Sequence, residues 1–132
     1  MIFRAAEPED YEAVRAFLAE NGWEKRVADR EKFRKMMENA SRTVVAFEGA
    51  RIVGFARALC DEVSNGYIGT VAVAEDFRRK GVGRELVERL LGDDKNITWV
   101  LRAGRGSAGF WKKMGFEVSE TAMEKTRSIN RL

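Results

Sequence analysis

Strand-like and helix-like patterns of apolar residues alternate along the chain from its first residues. A short strand is predicted over residues 2–4. A helix is predicted to begin near Pro8, because proline suits the first turn of a helix and the acidic residues after it favour the helix dipole. Apolar residues recur at helical spacing up to Asn21-Gly22, a pair that ends helices. A second helix is predicted over residues 29–39.

The middle of the chain has the pattern of three strands. Apolar and β-branched residues predict strands over residues 43–47 and 52–60, and the polar segment between them predicts a hairpin. Asn65-Gly66 predicts a turn into a third strand over residues 67–73. These strands are expected to form an antiparallel meander.

The last third of the chain predicts two more helices and three more strands. In chain order they are a helix over residues 81–91, a strand over 97–101, a short helix over 108–114, and a closing hairpin from 116–118 and 123–126. The polar tail over residues 127–132 is expected to fray.

The resulting order, β-α-α-β-β-β-α-β-α-β-β, predicts an α/β (α+β) fold in which one mixed sheet carries helices on both faces. With 132 residues, 45% of them hydrophobic, the chain is expected to form a single domain over residues 1–132. No apolar run approaches the roughly 18 residues of a membrane helix, and the chain turns charged directly after its first residues. Neither a membrane span nor a signal peptide is predicted, and a cytoplasmic location is the expected default.

The residue types that the chain lacks exclude several kinds of catalytic and metal-binding site. The chain has no histidine, which excludes histidine-based triads, relays and metal sites. Its single cysteine, Cys60, excludes an internal disulfide or a Cys-ligated zinc, and is interpreted as a packing residue because it ends an apolar run. No metal is predicted. The net charge of +3 and the pI of about 9.2 are compatible with an anionic ligand but too weak to indicate nucleic acid.

The clearest candidate binding site is a basic, glycine-containing turn between the predicted strand 67–73 and the helix after it. Free backbone N–H groups at a helix start attract anions, glycines let a phosphate approach the backbone, and basic side chains add charge. These features predict a pyrophosphate site; the alternative is a basic surface turn before an ordinary helix. The turn fits neither a P-loop, which needs Lys-Ser/Thr after its second glycine, nor a Rossmann loop, which needs three glycines. Its residues are Arg78, Arg79, Lys80, Gly81, Val82, Gly83 and Arg84.

Four segments together resemble the GCN5-related N-acetyltransferase (GNAT) family. Arg78-x-x-Gly81-x-Gly83, after a Val-x-Val strand, resembles the acetyl-CoA signature of the family. Residues 109–116 resemble its second motif, Phe-Tyr-x-x-x-Gly-Phe. Residues 3–6 resemble its first strand, and residues 50–56 its second-to-third-strand hairpin. In order, spacing and type of element, the resemblance covers nearly the whole chain, residues 2–126.

The resemblance implies an acetyltransferase with a splayed central sheet and acetyl-CoA as co-substrate. In this family the pantetheine arm lies between strands four and five and pairs with strand four. Here that implies that Val71-Ala72-Val73 holds the arm and polarises the thioester, and that residues 78–84 hold the pyrophosphate. Phe110 and Trp111 would flank the arm from the other side. The implied reaction is direct attack of a primary amine on the thioester in a ternary complex, without a metal.

The sequence differs from the family at positions where relatives carry residues that transfer protons. Trp111 stands where relatives often carry a tyrosine that protonates the leaving sulfur, and an indole N–H is not a proton-transfer acid at neutral pH. Tyr67 is the candidate substitute; the alternative is a core or cross-strand aromatic residue. The identity of the general base is equally open, because Gly69 and Thr70 stand where many relatives carry a carboxylate.

The nearest acidic residues, Asp61 and Glu62, are the candidate bases, since the turn that holds them commonly faces the acceptor in this family. The alternatives are a solvated pair of turn residues and a base that works through ordered water. The resemblance places the acceptor against the first two helices and their link, where Trp23 beside acidic residues is a candidate for binding a cationic amine. Simple helix-face packing is the alternative there.

The identity of the acceptor stays open among polyamines, arylalkylamines, amino-acid derivatives, antibiotics and protein amines. Two other functions are kept as alternatives. One is a CoA-binding module without turnover, and the other, disfavoured because few aromatic residues are available for base stacking, is a basic nucleic-acid-binding domain. Members of the family are often dimers, so a homodimer is an open alternative to a monomer.

Overall fold

The computed structural model describes residues 1–127. Within this range one five-stranded sheet is accompanied by short helices. The strands are β1 (Ile2–Arg4), β2 (Arg42–Glu48), β3 (Arg51–Cys60), β4 (Asn65–Val73) and β5 (Thr98–Leu101). The α-helices are α1 (Tyr11–Leu18), α2 (Glu24–Val27), α3 (Arg30–Asn39), α4 (Val82–Leu91) and α5 (Ala108–Lys113). Single 3₁₀ turns, Pro8–Asp10 and Glu75–Phe77, precede α1 and α4.

The strands lie in the order β1-β2-β3-β4-β5. The first four pair antiparallel, and β4 pairs with β5 in parallel through the crossover that contains α4. This mixed sheet confirms the predicted fold class. β5 pairs only with residues 65–68 of β4, so residues 69–73 have no strand partner on that side within the described range. The sheet is therefore open along the second half of β4, as the predicted splay requires.

Helices bury both faces of the sheet. α4 packs against β2, β3 and β4, and α1 packs against β3. Gly54 and Phe55 are adjacent on β3, so they point to opposite faces, and both are buried. Leu18 of α1 and Leu86 of α4 are among the largest fully buried side chains. No helix within residues 1–127 is long and apolar enough to cross a membrane.

The first helical region contains one more helix than the sequence predicts. The predicted stop at Asn21-Gly22 is confirmed: α1 gives way to a widened turn, Ala19–Trp23, in which Gly22 has a φ of 95° and Asn21 donates its side-chain amide to the Phe17 carbonyl at 2.8 Å. The chain then forms the single turn of α2, which buries only Val27, before α3 begins. Asp29 caps α3 by accepting the backbone N–H of Lys32 at 3.0 Å.

The chain divides into two compact units, residues 1–101 and a second that begins at Arg102. The first contains the whole sheet and α1 to α4. The second contains α5 and a small aromatic cluster, in which Trp111 makes edge-to-face contacts with Phe110 and Phe116 at centroid distances of 5.0 and 5.2 Å. An ion pair of 2.8 Å joins Arg102 to Glu124 in the same unit.

The predicted closing hairpin is wrong for the described residues. Neither residues 116–118 nor residues 123–126 form a strand. Ser119 explains part of the difference, because its hydroxyl accepts the backbone N–H groups of Thr121 and Ala122 at 3.2 and 3.0 Å, a local bonding pattern that competes with a ladder. Val118 and Met123 are 86% and 97% exposed, so this segment has no buried apolar face to hold a pairing in register. Most of the predicted tail lies outside the described residues.

Candidate active site

The turn between β4 and α4 presents a row of backbone N–H groups. Arg79 and Gly81 have positive φ values of 63° and 84°, which bend the backbone sharply before the helix. The first hydrogen bond of α4 runs from the N–H of Glu85 to the carbonyl of Gly81, at 3.0 Å. Among the described residues, none of the N–H groups of residues 79–84 donates to another protein group. Together with the positive end of the helix dipole, they form a surface that suits an anion.

The side chains of this turn add positive charge that carboxylates do not neutralise. Arg78, Arg79, Lys80 and Arg84 are exposed, and none forms an ion pair within the described residues. The nearest acids in the chain on either side are paired with other arginines: Asp76 with Arg51 through two hydrogen bonds of 2.8 Å, and Glu85 with Arg89 at 2.7 Å. The Arg78 guanidinium donates to the Val73 carbonyl at 3.2 Å and so connects the turn to the end of β4.

The open half of β4 leads directly into this turn. Val71-Ala72-Val73 lies on the stretch that pairs with β3 on one side and with no strand on the other, within the described range. In such a ladder, alternate backbone groups point away from the paired strand and are free to bond an extended ligand. The structure thus brings the predicted arm-binding and pyrophosphate-binding segments together in one unit.

Asp61 is engaged by its own turn. Its carboxylate accepts the backbone N–H groups of Val63, Ser64 and Asn65 at 2.7 to 3.0 Å and the Ser64 hydroxyl at 2.6 Å. The Ser64 hydroxyl, followed by these backbone donors, lowers the pKa of Asp61 well below its ordinary value. A carboxylate stabilised in this way is a poor proton acceptor, so the geometry supports a structural role, and the assignment as base stays a prediction.

Glu62 is also paired. Its carboxylate accepts from the Arg42 guanidinium at 2.6 Å, and this hydrogen bond lowers the pKa of Glu62. Arg42 donates further to the carbonyls of Leu90 and Leu91, at 2.8 and 2.9 Å, and so caps the last turn of α4. The contacts of Glu62 are therefore those of a clamp between the turn and α4, and its assignment as base likewise stays a prediction.

Tyr67 lies on β4 just before a β-bulge. β3 and β4 pair Arg57 with Thr70 and then Ala58 with Ile68, so Gly69 is an extra residue on β4. Tyr67 is half-buried, opposite Leu59 on one side and Val100 on the other. It therefore stands at the point where β5 separates from β4, and its predicted role as proton donor stays a prediction.

Arg57 is the residue of this region that sequence analysis missed. Its half-buried side chain lies over Gly69: a Cβ atom added to Gly69 would be 2.6 Å from Arg57 Nη2. The Nε–H of Arg57 donates to the Thr70 hydroxyl at 3.3 Å. The only sequence signal was a charged residue inside an otherwise apolar strand.

The family comparison covers both compact units. The family model described as "Acetyltransferase (GNAT) domain" matches residues 5–128. The chain belongs to the GNAT acetyltransferase family. The resemblance predicted from the motifs is therefore confirmed over nearly the whole sequence. No curated protein matches the chain.

Solved structures of proteins described as acetyltransferases share this fold. A protein assigned to the GNAT family in Xanthomonas campestris is 18% identical, with a TM-score of 0.78, over 96% of this chain and 94% of that one. A predicted acetyltransferase of Clostridium acetobutylicum, solved with acetyl-CoA, is 20% identical, with a TM-score of 0.72, over 95% of both chains. An aminoglycoside acetyltransferase from an uncultured soil metagenomic sample is 22% identical, with a TM-score of 0.72, over 96% of this chain and 98% of that one.

The helices predicted to contact the GNAT acceptor contribute mainly to the core. Phe33 and Met37 of α3 are only 4% and 3% exposed. Trp23 is half-buried, and the Arg26 guanidinium lies 5.1 Å from the centre of its ring. A cationic amine would have to compete with Arg26 for that face of the indole, so the contacts favour packing over acceptor binding for these residues.

Phe110 and Trp111, the predicted second GNAT motif, both lie on α5 in the second unit. Trp111 is 8% exposed and is surrounded by its two aromatic neighbours, Phe110 and Phe116. That these side chains flank the pantetheine arm stays a prediction. That Trp111 does not protonate the leaving sulfur also stays a prediction.

Proposed function

We propose that this GNAT protein is an N-acetyltransferase that moves the acetyl group of acetyl-CoA to a primary amine by direct attack in a ternary complex. The observation that carries the proposal is the turn over residues 79–84. Its backbone N–H groups have no partner among the described residues, and the basic side chains around it form no ion pair there. Such a turn matches the charge and shape of a pyrophosphate.

The residues fit acetyl-CoA on two independent grounds. The turn supplies donors and cations for the phosphates, with Gly81 presenting no side chain at the point of closest approach. The open edge of β4 supplies backbone groups for the amide-rich arm, as an added strand would use them. The arm-binding segment leads into the phosphate-binding turn through the short Glu75–Phe77 turn alone.

When bound, acetyl-CoA would supply an acetyl thioester: the amine nitrogen bonds to the acetyl carbon, the carbon–sulfur bond breaks, and the proton lost by nitrogen is balanced by one gained at sulfur. Val71-Ala72-Val73 would position the arm through its free backbone groups. An outward N–H of this segment would donate to the thioester oxygen, where negative charge develops. The chain thus contributes mainly orientation and hydrogen-bond donation.

Proton transfer is assigned to Tyr67 and water. Tyr67 is the sole phenol on β4, two residues before its open half begins, and would supply a proton toward the leaving sulfur. Asp61 and Glu62 are committed to their own hydrogen bonds. Ordered water is therefore the preferred carrier of the proton that leaves the amine, in keeping with one of the alternatives predicted from the sequence.

The test is thermal unfolding with and without acetyl-CoA, with ATP and NAD as controls. At one hundred times Kd, a ligand that binds only the native state adds about 2.7 kcal/mol, which should raise the midpoint by several degrees. A rise with acetyl-CoA alone supports the proposal. No rise at millimolar acetyl-CoA, or an equal rise with ATP, would overturn it.

The second candidate function is a CoA-binding module without turnover. It is favoured by Trp111 at the position of the usual acid and by the engagement of both candidate bases. Release of free CoA thiol during incubation with a panel of amines separates the two functions. A chain that binds acetyl-CoA and releases no thiol above the rate without protein would be such a module.

A further inference from the structure

Arg57 is a cation without a matching anion. It extends from β3 over Gly69, and its one hydrogen bond within the described residues is the 3.3 Å contact with the Thr70 hydroxyl. No carboxylate of the described residues forms an ion pair with it. A half-buried guanidinium without a counter-charge is costly, because the cation is partly removed from water and no anion compensates for that loss.

The unpaired part of this guanidinium is accessible. No side-chain nitrogen of the described residues is both fully buried and without a partner, so the free Nη atoms of Arg57 reach the surface. Burial of the stem lowers the pKa of Arg57, while the Tyr67 phenol opposes the shift. An arginine is nevertheless still charged at neutral pH. Arg57 therefore carries a charged, partly desolvated guanidinium whose Nη atoms are not fully enclosed by the described residues.

The location connects Arg57 to the proposed reaction. Gly69 is the bulge residue at which β5 leaves β4, two positions before Val71. Gly54 faces α4, so Arg57, three residues further along β3, lies on the opposite face from the helix that follows the phosphate-binding turn. The anion that Arg57 suits is therefore separate from the phosphates assigned to residues 78–84.

An apolar row continues from Arg57 on the same face of the sheet. Leu59 lies two residues along β3, opposite Tyr67, which in turn lies opposite Val100 on β5. Leu59, near the end of β3, and Val100, on the edge strand β5, are 42% and 43% exposed. The guanidinium and this row together present one charged and one apolar contact surface to a small molecule.

We infer that the acceptor is an amine that also carries a carboxylate, and that Arg57 binds this carboxylate while Leu59, Tyr67 and Val100 contact an apolar body. The inference rests on the proposed function and specifies its substrate class. Two parallel N–H···O bonds from a guanidinium would fix the acceptor in one orientation. The amine next to that carboxylate would then lie near the open edge at Val71.

The experiment compares three acceptors with one apolar body: L-phenylalanine, L-phenylalaninamide and 2-phenylethylamine. Wild-type protein is expected to show a kcat/KM at least about tenfold higher for the acid than for 2-phenylethylamine. Arg57→Gln is expected to lower kcat/KM for the acid by about 10- to 100-fold, mainly through KM, because charge-assisted hydrogen bonds are lost. For 2-phenylethylamine it should change kcat/KM by no more than about twofold.

Matched variants keep the result interpretable if Arg57→Gln is unstable. Arg57→Lys retains the charge without the paired donors and should recover part of the preference for the acid. Arg34→Gln, on the exposed face of α3 and paired only with Glu31 and Glu38, serves as the control. A binding readout completes the set: N-acetyl-L-phenylalanine in the presence of CoA should raise the unfolding midpoint of wild type and not that of Arg57→Gln.

The outcomes separate the two proposals. If acetyl-CoA stabilises every variant but the three acceptors react equally, or an amine without a carboxylate reacts best, the inference is overturned and the proposed function stands. If acetyl-CoA stabilises none of them, both fall. A preference for the acid that Arg57→Gln leaves intact would also overturn the assignment to Arg57.

Discussion

Gly54, in the middle of β3, lies directly beneath Leu86 of α4. A Cβ atom at Gly54 would be 2.9 Å from Leu86 Cδ1 and 3.1 Å from Val82 Cγ1, both closer than ordinary contact. Ala46 on the neighbouring strand would be 3.3 Å away on the same side. The absence of a side chain at Gly54 therefore sets how closely α4, and with it the turn proposed to bind phosphate, can approach the sheet.

Substituting Gly54 by alanine is expected to destabilise the fold by about 1–3 kcal/mol, because the added methyl group overpacks a core that is already filled. The unfolding midpoint should fall by several degrees. Gly109→Ala is the control, since a Cβ there meets nothing within 4 Å and Gly109 lies within helix α5. That variant should keep or slightly raise the midpoint. Equal midpoints for wild type and Gly54→Ala would contradict the packing described.

Gly81→Val is expected to weaken acetyl-CoA binding beyond its effect on folding. Gly81 has a φ of 84°, which a β-branched residue adopts only with strain, and its missing side chain leaves the turn open to a phosphate. The matched control is Gly49→Val in the β2–β3 turn, where φ is 61° and, as at Gly81, nothing lies within 4 Å.

Both glycine variants should lose about 1–2 kcal/mol of stability, and only Gly81→Val should raise the Kd for acetyl-CoA, by about tenfold or more. Kd is measured by calorimetry well below either unfolding midpoint. Removing the Arg78 side chain should also raise it, because one phosphate contact is lost. A folded Gly81→Val protein with the wild-type Kd would exclude the turn as the phosphate site.

The sheet and α4 could be predicted because several sequence signals agree there. Val82, Leu86 and Leu90 repeat at helical spacing after a glycine turn, and all three are buried. The predicted last hairpin is wrong because its apolar residues have the same local pattern as a true strand. Whether such a segment pairs depends on a partner and a covered face, which local sequence does not report.

Some residues of the candidate site can likewise be recognised from the sequence, whereas others cannot. The turn proposed to bind phosphate consists of consecutive residues, so its glycines and basic residues can be recognised in the sequence. Arg57 is different, because its position over Gly69 arises from a bulge between two strands, and neither strand shows that bulge alone. Asp61 shows another limit of sequence: its place in the turn suggests a base, but the sequence does not reveal that its carboxylate accepts the N–H groups of its own turn.

Asp61 is expected to stabilise the fold in a pH-dependent way. Its pKa is lowered in the folded state, so its contribution is present above the unfolded pKa near ~4 and is lost as the pH falls through the lower folded pKa. Asp61→Ala should therefore have a lower unfolding midpoint than wild type at pH 7, and the difference should shrink below pH ~4. Ser64→Ala, which removes only the hydroxyl donor, should show a smaller difference of the same sign. A difference that is constant from pH 7 to pH 3 would rule out this role.

Asp61→Asn separates the structural role from catalysis. The amide keeps an oxygen to accept the backbone N–H groups and removes the charge, so acetyl transfer should stay within about twofold of wild type if Asp61 only holds the turn. A general base contributes typically about 10²-fold or more, so a base would show a loss of that size in kcat with an unchanged Kd for acetyl-CoA. The second result would restore the assignment predicted from the sequence.

Tyr67→Phe tests the proton donor by removing one oxygen from a position that the ring itself still fills. If the hydroxyl protonates the leaving sulfur, kcat should fall by roughly 10²-fold while the unfolding midpoint and the Kd for acetyl-CoA change little. Tyr11→Phe on α1 removes the other phenol of the chain and should leave kcat unaltered. An unaltered kcat in Tyr67→Phe would assign Tyr67 to cross-strand packing between Leu59 and Val100, and the sulfur would then leave as thiolate, which the ordinary thiol pKa of about 8.5 permits.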